Sequence, residues 1–171
     1  MNNPLNTVAE LMAVSARTAP KAAGQDFVDI RVLAGNEIKD LADSMVQYGK
    51  ETGKGNFDRD GANVKESEAV LLLSLNSPKV LGLNCGACGY DTCNELELRE
   101  GPEFAGGMCA WRLIDLGIAL GSAVKTASLL NVDNRIMYRI GVVARKVKLI
   151  EGEFVVGIPL SATGKNIFFD R

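Results

Sequence analysis

The chain's only four cysteines, Cys85, Cys88, Cys93 and Cys109, crowd into one stretch with the spacing Cys-x2-Cys-x4-Cys-x15-Cys. A fold that uses them together must bend the first three into a tight loop and bring the fourth back from farther along. Glycines stand where such a loop needs unusual backbone: Gly86 and Gly89 follow Cys85 and Cys88, and Gly106 and Gly107 come just before Cys109. Glycine reaches positive φ without steric penalty, so the loop can wrap a compact core and aim N–H groups at it. Between the third and fourth cysteines, NELELREG is predicted to form a short helix. Four thiolates, three from one tight loop and one returning, suit a 4Fe–4S cubane. Zinc also takes four thiolates, but structural zinc sites usually show two short paired knuckles, and here the second half is a single cysteine. A redox dithiol at Cys85 and Cys88 explains the Cys-x-x-Cys pair and leaves Cys93 and Cys109 without a role.

The rest of the chain narrows the chemistry. MNNPLNTVAE has no basic n-region and no long apolar run, so it does not read as a secretory signal, and a cytoplasmic location is expected. Disulfides are rare in a reducing cytosol, which favours a metal site for clustered cysteines. Histidine is absent, so no histidine ligand, histidine base or Ser–His–Asp triad is available. Lys plus Arg minus Asp plus Glu is 19 − 21, or −2, without the positive excess that nucleic acid or an anionic membrane surface requires. No stretch approaches the roughly 18 to 20 apolar residues of a membrane span.

Periodicity places the elements around the cysteines. Residues 5–17 carry Leu5, Val8, Leu11, Met12 and Val14 at near-helical spacing, with Asn6 or Thr7 as the expected cap and Glu10 completing a capping box. FVDIRVLAG alternates like a strand, and residues 36–51 put Ile38, Leu41, Met45 and Tyr48 on one helical face. GKGNFDRDGAN reads as a polar surface loop, and AVLLLSL as a strand buried on both faces. A long helix is expected over residues 111–130, with the small residues Gly117, Ala119, Gly121, Ser122 and Ala123 suited to close packing. A further helix is expected from Asn134 to Ala144, capped by Asp133, and then a strand in KVKLIEGEFVVGIPL interrupted near Gly152. At 171 residues this predicts an α/β fold, an α+β sandwich, in one domain with residues 84–110 inserted as the cysteine segment.

CGACGYDTC with a later fourth cysteine resembles the small 4Fe–4S domain of ferredoxin-like subunits in ion-pumping electron-transfer complexes and in corrinoid iron–sulfur proteins. Those commonly read CGxCGYxxC and often place proline after the last cysteine, where this chain has Ala110. The flanks resemble FMN-dependent nitroreductases: ARTAPKAAGQDFVDIRVL matches their A-x-x-A-P-S-A-x-N segment, DLGIALGSAVKTASLLNVDNRIMYRIG their central dimer-forming helix, and VVGIPL their closing strand. The whole chain, with its SATGKNIFFDR tail, is similar to a family of small uncharacterised prokaryotic proteins containing a ferredoxin domain. These resemblances imply a nitroreductase-like scaffold, a 4Fe–4S cluster on the four cysteines, and a homodimer formed through the long helix. They also imply FMN as a second cofactor. The nitroreductase Arg-x-Ser-x-Arg phosphate grip is missing, and Lys21 and Gly24 stand where Ser and Asn are expected, which leaves Arg17, Lys21 and Lys165 as phosphate candidates. The functional expectation is 4Fe–4S electron transfer to a redox partner protein or a small acceptor, coupled to FMN as a reductase. Its alternative is a non-catalytic iron–sulfur or zinc module acting as a ferredoxin-like partner.

Overall fold

The structure, a computed structural model, describes residues 3–169, so the last two residues of the SATGKNIFFDR tail lie outside it. Helix α1 (Pro4–Thr18) begins where Pro4 presets a helical φ, and the Asn3 side chain accepts the Leu5 N–H at 2.9 Å. The cap is therefore Asn3; Asn6 and Thr7 lie inside the first turn. The chain continues through β1 (Val28–Leu33), α2 (Asn36–Thr52), α3 (Phe57–Lys65) and β2 (Ala69–Leu75). After the cysteine segment, with its two-residue strands β3 (Arg99–Glu100) and β4 (Ala105–Gly106), come α4 (Ala110–Leu129), β5 (Asp133–Asn134), α5 (Tyr138–Lys146) and β6 (Phe154–Ser161).

Four strands form one antiparallel sheet in the order β1-β2-β6-β5, with Leu71 of β2 opposite Val32 on one side and Ile158 on the other. All seven residues of β2 are buried, because helices cover both faces. Alternation sorts its side chains: Leu71, Leu73 and Leu75 join Val156, Ile158 and Leu160 beneath α1 and α4, while Val70 and Leu72 meet α2, α3 and α5. Each such buried leucine contributes about 1.5–3 kcal/mol relative to exposure. Helix α5 lies so close on β6 that a Cβ at Gly141 would stand 1.7 Å from the Val155 carbonyl oxygen. Only glycine permits that approach. The expected α+β sandwich is the fold.

Several local expectations give way to tertiary contacts. Most of GKGNFDRDGAN belongs to α3, whose Phe57 is fully buried and whose Gly61 lets the helix press against α2, a Cβ there falling 3.0 Å from the Ala42 carbonyl oxygen. Asp133 and Asn134 pair with β6, so the following helix starts only at Tyr138. The final strand is confined to Phe154–Ser161, since Arg145 and Lys146 end α5 and a loop follows. NELELREG is not a helix beyond one short 3-10 turn at Cys93–Glu95; Arg99 and Glu100 are extended because their backbone pairs with Gly106 and Ala105. Among the described residues no helix is long and apolar enough to cross a membrane.

Candidate metal centre

From Asn76 to Cys109 only Ala105 and Cys109 are buried, so apolar packing does little to shape this stretch. Its shape comes from turns and hydrogen bonds. Gly86 (φ 71) and Gly89 (φ 90) both take the left-handed conformation expected of them, and the Gly89 N–H donates to the Gly86 carbonyl at 2.9 Å. Gly107 (φ 77) passes so close to the segment's other arm that a Cβ would fall 2.0 Å from the Glu97 carbonyl oxygen. That crossing brings the returning chain, and with it Cys109, back beside the first three cysteines. All four line a single pocket, together with Leu81, Leu83, Tyr90 and Trp111.

Donors are aimed at these sulfurs. The Ala87 backbone N–H, and after it the Trp111 indole N–H, hold the Cys85 thiol below the usual cysteine range. The Asn84 N–H donates to the Cys93 sulfur at 3.4 Å, while its side-chain oxygen accepts the Cys93 N–H at 2.8 Å. This reciprocal clip needs Asn84 at φ 49, a left-handed conformation that asparagine tolerates better than most residues. Cys109 occupies the N-cap position of α4, where unpaired helix N–H groups favour negative charge. Each feature lowers the cost of holding thiolates together.

The donor set fits a cubane by its chemistry. Around one zinc ion, thiolate sulfurs lie about 2.3 Å from the metal and crowd each other. Among the described residues no group of three or more Cys, Asp or Glu side chains is already placed to hold a metal ion, zinc and iron alike. In a cubane each of four thiolates holds a different iron, and four thiols around one pocket are the donor set such a cluster would take.

Arg112 fastens the pocket to the scaffold. Fully buried one turn after Cys109, it donates to the Lys79 carbonyl at 2.8 Å, the Ala22 carbonyl at 3.1 Å, the Gln25 side chain at 2.5 Å and Asp115 at 3.1 Å. Asp115 in turn accepts the Ala22 N–H at 2.7 Å, and the guanidinium lies 4.8 Å from the centre of the Phe27 ring. Both arms of the segment, the one entering through Lys79 and the one leaving through α4, thus meet on one side chain.

The three phosphate candidates behave differently. Arg17 bonds Asp26 at 2.6 Å and the Val28 carbonyl at 2.7 Å. Lys21 closes the C-terminal end of α1, donating to the carbonyls of Ala16, Arg17 and Ala19 at 2.8–3.1 Å, with Asp26 at 3.8 Å. Lys165 lies in the loop after β6, at the opposite end of the sheet, where its neighbour Asn166 bonds Asp133 at 2.9 Å. Arg17 and Lys21 come together on Asp26, and Lys165 joins neither. Sequence reasoning missed Asn84, Trp111 and Arg112. Their signal was position alone: directly before the first cysteine and within one turn of the last.

The family described as "Uncharacterized protein containing a ferredoxin domain" matches residues 105–171, a span that includes Cys109 but not the other three cysteines. An uncharacterised protein of Archaeoglobus fulgidus is 45% identical over 172 residues, covering 99% of this chain and 93% of that protein. Among solved structures, a nitroreductase of Lactococcus lactis in complex with nicotinic acid aligns with a TM-score of 0.59 at 16% identity, covering 96% of this chain and 83% of its own. An FMN-dependent nitroreductase of Mycobacterium smegmatis in complex with NADPH aligns with a TM-score of 0.58 at 12% identity, covering 92% and 78%. At those identities the likeness is one of fold.

Proposed function

The chain belongs to the family of uncharacterised proteins containing a ferredoxin domain, and from that premise we propose that it is an iron–sulfur redox protein carrying one 4Fe–4S cluster on Cys85, Cys88, Cys93 and Cys109. The observation that carries this reading is the convergence of all four thiols on one pocket, with the Asn84 N–H directed at the Cys93 sulfur. When bound, such a cluster takes up and releases single electrons. The residues around it bind and orient it. The cysteines supply the thiolates, the Asn84 clip and the Gly86–Gly89 turn set the loop, and Arg112 anchors both arms to the sandwich.

Anaerobic purification followed by iron, sulfide and zinc analysis tests this directly. About four irons and four sulfides per chain are expected. Stoichiometric zinc without sulfide would replace the cluster reading by a structural zinc module.

A redox partner protein or small acceptor, and a cytoplasmic location, belong to the same reading. FMN enters this reading through the fold likeness to FMN-dependent nitroreductases, while Arg17 and Lys21 meet on Asp26 apart from Lys165. Flavin absorbance in the purified protein checks it.

Homodimerisation through α4 has firmer support. The small residues of α4 split between its two faces: Ala119 and Ala123 are fully buried against the sheet, while Gly117 and Gly121 look outward with open space before them. Ile114 and Ile118, 47% and 39% exposed, flank those glycines on the outer face. A second copy laid on this stripe would bury it, and light scattering at micromolar concentration decides between dimer and monomer.

A further inference from the structure

Beside the cysteine pocket runs a second, larger groove of about 600 Å³, within the range of about 300–1,000 Å³ typical of small-molecule sites. Its walls include Cys88, Tyr90, Phe104, Met108, Leu113 and Phe154, and none of its twelve lining residues is an Asp, Glu, Lys or Arg. Phe104 and Phe154 form an aromatic wall, their ring centroids 4.5 Å apart and tilted by 40°. The groove and the cysteine pocket share Ala87, Cys88, Tyr90 and Ala110, so whatever fills one touches a wall of the other.

We propose that this groove binds an uncharged, planar, redox-active ring of the quinone class, seated against the Cys88 side of the cluster site. The proposal rests on the cluster reading above and names the small acceptor that such a cluster would serve. An uncharged ring is indicated because the lining offers no cation, and a phosphate buried there would lose its water without gaining a partner. Flatness is indicated by the Phe104–Phe154 wall, since aromatic rings pack best in offset or tilted contact with other rings. Tyr90 carries the one hydroxyl among the lining residues, a donor of the type suited to a ring carbonyl. Redox activity is indicated by the shared wall at Cys88.

The structure also provides a way to fill the groove without disturbing the fold. Gly106 lines it, has a backbone conformation open to any residue, and would meet nothing within 4 Å if given a Cβ. Leu113, on the α4 wall, is 40% exposed and tolerates a polar replacement. The experiment is equilibrium binding of duroquinone to the protein as purified anaerobically, followed by ligand-observed NMR. Duroquinone is methylated at every ring position, so thiols cannot add to it. Saturable binding below about 1 mM is expected, weakened about tenfold or more in Gly106→Leu and in Leu113→Glu. Iron content and thermal midpoint should stay at their unsubstituted values in both variants. Absence of saturable binding to the unsubstituted protein would overturn the proposal, as would undiminished binding to both variants. Iron analysis of the same samples separates this claim from the one beneath it. Iron without duroquinone binding removes the groove and keeps the cluster, whereas groove-dependent binding to an iron-free protein removes the cluster.

Discussion

Every residue of β2 is buried, whereas between Asn76 and Cys109 only Ala105 and Cys109 are. The sandwich is therefore held by apolar surface removed from water, and the cysteine segment by hydrogen bonds, turns and one buried arginine. A segment without its own core has little to order it except its anchors, so under the proposed cluster reading metal binding would contribute directly to its folding. Two consequences separate the regions. Damage to the sandwich should lower global stability and spare cluster uptake, and damage to the segment should do the reverse.

Arg112 stands on the boundary, so its loss should have the largest effect. Arg112→Ala leaves Asp115 buried without its ion partner, and denaturant unfolding should show a loss of about 3–5 kcal/mol together with reduced iron content. An unchanged iron content in a folded Arg112→Ala protein would show that the segment does not depend on this anchor. Leu72→Ala, inside the sandwich, should cost about 2–5 kcal/mol by the same measurement while iron content is retained. Asn84→Ala removes the clip on Cys93 and should cost about 1 kcal/mol, read as faster hydrogen exchange at the Cys93 amide, with the sandwich amides unmoved. Cys93→Ser should abolish normal iron loading yet move the unfolding midpoint of the metal-free protein by no more than about 0.5 kcal/mol.

The smallest effect concerns the tie between the β3–β4 hairpin and α5. Glu100 bonds Arg145 through both oxygens, at 2.6 and 2.8 Å, and these bonds hold its carboxyl below the usual carboxylate range. A depressed folded value means the tie is present above the unfolded value of about 4.3 and is lost as pH falls through the folded one. The protection factors of the hairpin amides, taken against the unfolded chain at the same pH, should fall on acidification over that window, and Glu100→Gln should make them insensitive there. A solvent-exposed pair of this kind leaves global stability nearly untouched.

How much of this was legible beforehand follows the same division. The sandwich announces itself through periodicity: AVLLLSL can be little other than a strand covered on both sides, and Ile38, Leu41, Met45 and Tyr48 mark the inner face of α2. Helix α3 escaped because FDRDGANVK owes its helicity to Phe57 in the core and to Gly61 against α2, contacts that no local pattern displays. In the cysteine segment, residue type pointed to the four thiols that share the pocket and to the glycines of the loop. The backbone between them was misread, because β3 is extended only through pairing with β4. Arg112 was invisible for a related reason. A buried arginine is identified by four partners drawn from Ala22, Gln25, Lys79 and Asp115, and none but the last is near it in the chain.

The position of β6 in the sheet sets an order of events during synthesis. Although it comes last in chain order among the four strands of the described sheet, it lies inside that sheet, between β2 and β5. All four cysteines, α4 and α5 are therefore synthesised before the strand that closes the sandwich exists. A nascent chain ending before residue 154 owns every thiol and has no completed sheet to hold them in register. Pairing of β2 with β6 closes a long stretch of chain, a slow kind of contact to form. Until β6 pairs, the cysteine segment therefore has no completed sandwich to anchor on.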